Sequence, residues 1–167
     1  YLIMTQVFID MGSNIDRDKN ICAGISQLRE DFPSIVFSKP YESLSEGFDG
    51  DSFINISAGF ETDLGFTDLL AYLKAIEIKQ KRVRDGAKFG SRTLDVDILL
   101  FGDAILQPER DVPRAEILKY PFVLFPLEEI AAGVMHPELG KTIAELVAET
   151  SLSRESIWAA TLSCPYT

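Results

Sequence analysis

The chain has 167 residues, 46% of them apolar and 25% charged, which fits one globular domain and excludes the disordered class. Its net charge of −10 is a poor match to the phosphates of a nucleic acid, and no apolar run approaches the roughly 20 residues a membrane helix needs. The expectation is a single-domain protein over residues 1–167, cytoplasmic and monomeric, whose partners are small molecules rather than nucleic acid or membrane.

Along the chain, Gln6 to Met11 alternates apolar and polar around Val7, Ile9 and Met11, the period of a strand, and Gly12-Ser13-Asn14 punctuates it. Ile21, Ile25 and Leu28 recur at helical spacing, so a helix follows and stops before Pro33. Ile35 to Ser38 reads as a short strand, and Pro40 to Asp51, with Gly47 and Gly50, as a loop. Phe53 to Phe60 is a strand with Ile54, Ile56, Ala58 and Phe60 on one face and Phe53, Asn55 and Ser57 on the other. A second helix begins near Thr67 as N-cap and carries the stripe Leu69, Leu70, Leu73 and Ile76. A basic loop follows, then a strand from Leu94 to Phe101 with Leu94, Val96, Ile98 and Leu100 on one face. Pro113 to Pro121 is irregular. Phe122 to Ala132 is predicted helical, with Pro126 tolerated in a first turn, and Thr142 to Ala148 is a short helix. The tail from about residue 149, with Trp158, is expected to add a helix or to be partly disordered.

This β-α-β-β-α-β order followed by helices is the ferredoxin-like pattern: an α+β fold, an antiparallel sheet with helices on one face and additional C-terminal helices. The other sheet face is left for a site or for later elements. The N-terminus lacks the basic flank and apolar core of a secretory signal. Cys22 and Cys164 are distant and read as neither a disulfide framework nor a metal knuckle, so a reducing compartment is expected. The single histidine, His136, weakens any histidine metal site or Ser-His-Asp arrangement and is taken as surface or structural.

The densest chemistry lies in Lys88-Phe89-Gly90-Ser91-Arg92-Thr93-Leu94-Asp95-Val96-Asp97-Ile98-Leu99. Asp95 and Asp97 are two apart on a strand, so both carboxylates leave the same face, roughly 7 Å apart. At an effective dielectric near 20 their repulsion costs about 2 kcal/mol, which a hard cation such as Mg²⁺ would relieve. A bare Asp-x-Asp also fits two solvent-facing carboxylates on a wet strand. The cluster Lys79, Lys81, Arg82, Arg84, Lys88 and Arg92 favours the cation reading, because guanidinium groups beside a carboxylate pair are the inventory of phosphoryl transfer. The Walker A pattern is absent. Phe53 and Asn55 share a strand face, where an aromatic ring and an amide suit a flat heterocycle; Phe122 is a candidate second wall or ordinary core.

These residues resemble the signature of the bacterial 6-hydroxymethyl-7,8-dihydropterin pyrophosphokinase family. The resemblance runs from Gly12-Ser13-Asn14 through Phe53-Ile54-Asn55 and Ile76-Glu77 to Phe122 and Pro126-Leu127-Glu128-Glu129-Ile130-Ala131. It implies transfer of pyrophosphate from ATP to a hydroxymethyl pterin, with AMP leaving, in folate synthesis. It further implies that Asp95 and Asp97 hold two Mg²⁺ ions and that Arg82 and Arg92 neutralise the moving group. Asn55 would hydrogen-bond the pterin, Phe53 and Phe122 would sandwich it, and backbone around Ser43, Leu44 and Glu46 would complete the pocket. Lys74, Glu77, Arg84, Lys88, Ile98 and Arg110 stand where the family contacts ATP. Loops around Gly47 and around Asp85 to Phe89 would close over the substrates.

The chain departs from the family pattern at Arg114 and Ala115, where histidine and often an aromatic are usual, and at Tyr120, where arginine is common. Lys88 and Phe89 replace the usual arginine and tryptophan. Arg114 is a candidate to supply the cation lost at position 120. The alternatives are a non-catalytic or divergent pterin- or nucleotide-binding paralogue of the same fold, a nucleotidyltransferase-like enzyme using the carboxylate pair, and a purely structural protein. The last explains neither the carboxylates nor the basic cluster.

Overall fold

The computed structural model describes residues 3–44, 52–83 and 93–167, with residues 82 and 83 described by backbone alone. The elements run β1 (Thr5–Ser13), α1 (Arg17–Asp31), β2 (Val36–Phe37), β3 (Tyr41–Ser43), β4 (Phe53–Thr62), α2 (Phe66–Val83) and β5 (Asp95–Phe101). After these come α3 (Pro121–Ala131), the hairpin β6 (Met135–His136) and β7 (Lys141–Thr142), α4 (Ile143–Glu149) and β8 (Ile157–Ala159). The sheet order is β5-β1-β4-β3-β8, with β2 also paired to β4, and every pairing is antiparallel. The α+β ferredoxin-like expectation therefore holds. No helix among the described residues is long and apolar enough to cross a membrane.

Alternation in β1 and β4 builds one core. Val7, Ile9 and Met11 and, across the strands, Ile56 and Ala58 face Ile21, Ile25 and Leu28 of α1 and Leu69 and Leu73 of α2. Each such aliphatic side chain contributes about 1.5–3 kcal/mol on burial. The opposite face is half covered: Phe8, Leu99 and Leu100 pack with Leu124 and Leu127 of α3, Ile117 and Ile143. The predicted placement of Leu100 beside Leu94, Val96 and Ile98 is corrected by a register shift between Phe8 and Ile9, which turns the end of β5 over. The open half of this second face is the site.

Four further expectations are revised. The stretch predicted as loop from Pro40 contains β3, because Tyr41, Glu42 and Ser43 pair with β4 on one side and with β8 on the other. Thr67 lies inside the first turn of α2, which starts at Phe66, with Leu69 N–H donating to the Gly65 carbonyl at 3.0 Å. α3 starts with Pro121, so Pro126 sits in the helix interior, where it has no N–H for the Phe122 carbonyl. Fourthly, the tail is ordered: Cys22 and Cys164 form a disulfide, Cα to Cα 5.8 Å. Ser163 N–H donates to Asp18 Oδ1 at 2.6 Å and Leu162 enters the main core, so contacts far apart in the chain supply what local periodicity does not.

Candidate active site

Three adjacent strands aim polar side chains at the open face. In the register, Asp10 of β1 lies opposite Asp97 of β5 and Ser57 of β4; two residues on, Gly12 lies opposite Asp95 and Asn55. Gly12 is required by this crossing, since a Cβ there would come within 2.7 Å of Asn55 Nδ2. Asn55 leans over it, and Nδ2 donates to Asp10 Oδ2 at 3.0 Å. Phe53, two residues earlier on β4, shares the face and pairs in register with Ser43 of β3.

From the other side α2 brings Lys74 and Glu77 to the edge strand. The two form an ion pair at 3.2 Å, and Glu77 Oε2 accepts the N–H of Val96, the residue between the two aspartates, at 2.7 Å. The connection before α3 supplies the rim. Arg114 N–H donates to the Leu99 carbonyl at 2.9 Å, which fixes the residue against β5, and its Nη2 lies 2.6 Å from Glu116 Oε1 and 3.5 Å from Asp97 Oδ2. The Tyr120 and Phe122 rings stack with centroids 5.0 Å apart.

Together these residues line a cavity of about 510 Å³. Among its described lining residues, Asp10, Glu77, Asp95, Asp97 and Glu116 face only the cations Lys74 and Arg114. Burial pushes the Asp10 carboxyl well above its ordinary range and the charge on Asp97 adds to this, while the Asn55 donor works the other way. Burial likewise raises Asp97, with Arg114 opposing. For Arg114, burial acts against the charge, but Asp97, Glu116 and Asp111 outweigh it and hold the guanidinium above its usual value. Buried Asp10 Oδ1, Asn55 Oδ1 and Arg114 Nε have no hydrogen-bond partner among the described residues. Directly opposed carboxylates destabilise a strand pair, so Asp10 and Asp97 belong to a site that meets a cation or a proton donor.

Among the described residues no group of three or more His, Cys, Asp or Glu side chains could hold a metal ion by itself. The donor set that exists is the carboxylates of Asp95 and Asp97, both hard oxygen ligands on the cavity wall. That fits a hard divalent cation which completes its shell with water and substrate oxygens rather than with a protein cage.

Of the sequence-predicted residues, the cavity brings together Ser43, Leu44, Phe53, Asn55, Lys74, Glu77, Asp95, Asp97 and Phe122. Leu44 is 74% exposed at its rim. Ile98 does not join them by its side chain, which is buried in the core against the helices, and Arg110 is exposed in the turn after β5. The Arg82 backbone lies in the last turn of α2. Glu46, Arg84, Lys88 and Arg92, with the loops around Gly47 and Asp85 to Phe89, lie outside the described residues. Sequence reasoning missed Asp10, Glu116 and Tyr120 as lining residues. Asp10 was legible as the one charge on the non-core face of β1, two residues before Gly12.

Comparison with known proteins gives a consistent result. A family model described as 7,8-dihydro-6-hydroxymethylpterin-pyrophosphokinase (HPPK) matches residues 8–132. The 2-amino-4-hydroxy-6-hydroxymethyldihydropteridine pyrophosphokinase of Pseudomonas aeruginosa is 36% identical over 151 residues, covering 87% of this chain and 92% of that protein. A folic acid synthesis protein of Dictyostelium discoideum is 32% identical over 136 residues, 80% of this chain and 20% of that one. Among solved structures, a triple mutant of Plasmodium falciparum HPPK-DHPS with pteroate aligns with TM-score 0.70 at 13% identity, a likeness of fold. It covers 95% of this chain and 47% of that one, so the chain spans about half the length of that protein.

Proposed function

Since the chain belongs to the 7,8-dihydro-6-hydroxymethylpterin-pyrophosphokinase family, we propose that its cavity transfers the terminal pyrophosphate of ATP to the hydroxymethyl oxygen of 6-hydroxymethyl-7,8-dihydropterin. The pyrophosphokinase step of folate synthesis comes with the family. The donor, the metal and the residue roles are the proposal. The hydroxyl oxygen attacks the β-phosphorus, the bond from that phosphorus to the α-phosphate oxygen breaks, AMP leaves with that oxygen, and the hydroxyl proton passes to water.

Asp95 and Asp97 hold two Mg²⁺ ions, which when bound neutralise charge on the ATP phosphates. Arg82 and Arg92 serve the transferring group, and Lys74, Glu77, Arg84, Lys88 and Arg110 the nucleotide, with Ile98 contributing through its backbone because its side chain is in the core. Asn55 reads the pterin edge, Phe53 and Phe122 flank its ring, and Ser43, Leu44 and Glu46 close the pocket. Transfer of this kind needs positioning and charge neutralisation more than covalent catalysis. The protein acts as a monomer, with ATP and the reduced pterin as its partners; the Cys22 to Cys164 disulfide removes the unpaired-cysteine argument for a reducing compartment.

The observation that carries this reading is the shared face: the Asp95 and Asp97 pair and the Phe53 and Asn55 pair line one cavity across three strands. Phosphorus NMR of the reaction mixture tests it. AMP and a pterin diphosphate should appear together, without ADP. Formation of ADP, or of AMP in the absence of pterin, would contradict it.

A further inference from the structure

Asp10 stands on β1, between β5 and β4, and is 6% exposed. Among the described residues its hydrogen-bond partner is Asn55, itself 4% exposed. Asn55 is held on three sides: by its place in β4, by Gly12 beneath the amide, and by Asp10 at the Nδ2 end. A primary amide can turn either its N–H or its oxygen outward. Here the acceptor on Asp10 takes the N–H end, and Oδ1 of Asn55, a residue that lines the cavity, is left buried and without a protein donor among the described residues.

We infer that Asp10 is a positioning residue for pterin recognition: by engaging Asn55 Nδ2 it fixes the amide so that Oδ1 is offered to a ligand N–H. This rests on the pterin reading above. A reduced pterin carries ring N–H and amino groups along its edge, and a buried acceptor without a partner discriminates strongly for a ligand that supplies a donor. Asp10 thus acts through Asn55 and not on the phosphates. Its loss falls on the pterin and spares the nucleotide.

The test is binding and kinetics on Asp10→Ala and Asp10→Asn. In Asp10→Ala the pterin dissociation constant, read by fluorescence titration, should rise roughly tenfold, the loss of about one net hydrogen bond. The ATP KM should stay within about twofold. Asp10→Asn keeps an acceptor oxygen and should recover most of the affinity. In an Asn55→Ala background, Asp10→Ala should have no further effect, because the two act as one unit. Should Asp10→Ala not fold, Asp10→Leu removes the acceptor at similar volume and is read the same way. Equal weakening of pterin and nucleotide, an undiminished effect in the Asn55→Ala background, or no rescue by Asp10→Asn would each overturn the inference. A parent protein that binds no pterin would instead overturn the functional reading.

Discussion

The guanidinium of Arg114 approaches the carboxylate of Asp97, Nη2 to Oδ2 3.5 Å, while the same Nη2 lies 2.6 Å from Glu116 Oε1 and Nη1 lies 3.9 Å from Asp111 Oδ2. The described lining of the cavity carries its positive charge on this residue and on Lys74. Arg114→Ala should raise the KM for ATP about tenfold, the order expected for one charge-assisted contact to a phosphate, and leave the pterin KM within about twofold. Folding stability should fall by on the order of 1 kcal/mol, between the limits for exposed and buried ion pairs. Steady-state kinetics and urea denaturation check both. An unchanged ATP KM would remove Arg114 from the nucleotide site.

Glu77 supports the aspartate strand from α2. β5 is the edge of the sheet, and Glu77 Oε2 accepts the Val96 N–H at 2.7 Å. Glu77→Ala leaves that donor without its acceptor and should cost about 1–3 kcal/mol, whereas Glu77→Gln retains an acceptor and should cost less. The urea midpoints of the two variants decide this. Equal midpoints would show that the bond contributes nothing.

The resemblance and the alternating strands made much of this legible in advance. Asp95 and Asp97 share a face because the strand period is two, and so do Phe53 and Asn55. Their convergence on one cavity was not legible from any single strand, because it depends on the register that sets Gly12 against both Asn55 and Asp95. The register shift beside Phe8, which turns Leu100 over, leaves no local mark in the sequence. β3 is too short to show a period, and β8 pairs with it from more than a hundred residues away: Tyr41 meets Ala159 and Ser43 meets Ile157. The Cys22 to Cys164 bond belongs to the same class, a proximity created by the fold.

That bond closes a sequence separation of 142 residues and ties the segment that follows β8 to α1. Cross-linking a loop of this size restricts the unfolded chain and contributes about 2–4 kcal/mol. The double variant Cys22→Ser, Cys164→Ser, or the parent with reductant, should lose stability of this order in urea. Because β8 pairs with β3, which carries Ser43, amide exchange across residues 41–43 should quicken as well. Unchanged midpoints and exchange would mean that the tail is held by its packing alone.

His136 is 3% exposed, and its Nδ1 accepts the N–H groups of Glu138 and Leu139, each at 3.3 Å. Burial pushes its pKa below the usual 6.5. The unfolded chain therefore takes up the proton first. The stability His136 contributes is complete above about pH 6.5 and is lost as pH falls through the depressed folded value. From about pH 7.5 to about pH 5, the parent should lose more thermal stability than His136→Asn, whose side-chain oxygen can take the place of Nδ1. Parallel melting curves across that range would contradict a buried neutral imidazole.

The most direct measurement is AMP release by the purified protein with ATP, Mg²⁺ and 6-hydroxymethyl-7,8-dihydropterin, run beside Asp97→Ala and beside reactions lacking metal or pterin. AMP should appear only when all three components are present, and Asp97→Ala, still folded by circular dichroism, should be slower by at least ~100-fold. AMP release without metal, or an Asp97→Ala protein as fast as the parent, would contradict pyrophosphoryl transfer centred on the Asp95 and Asp97 pair.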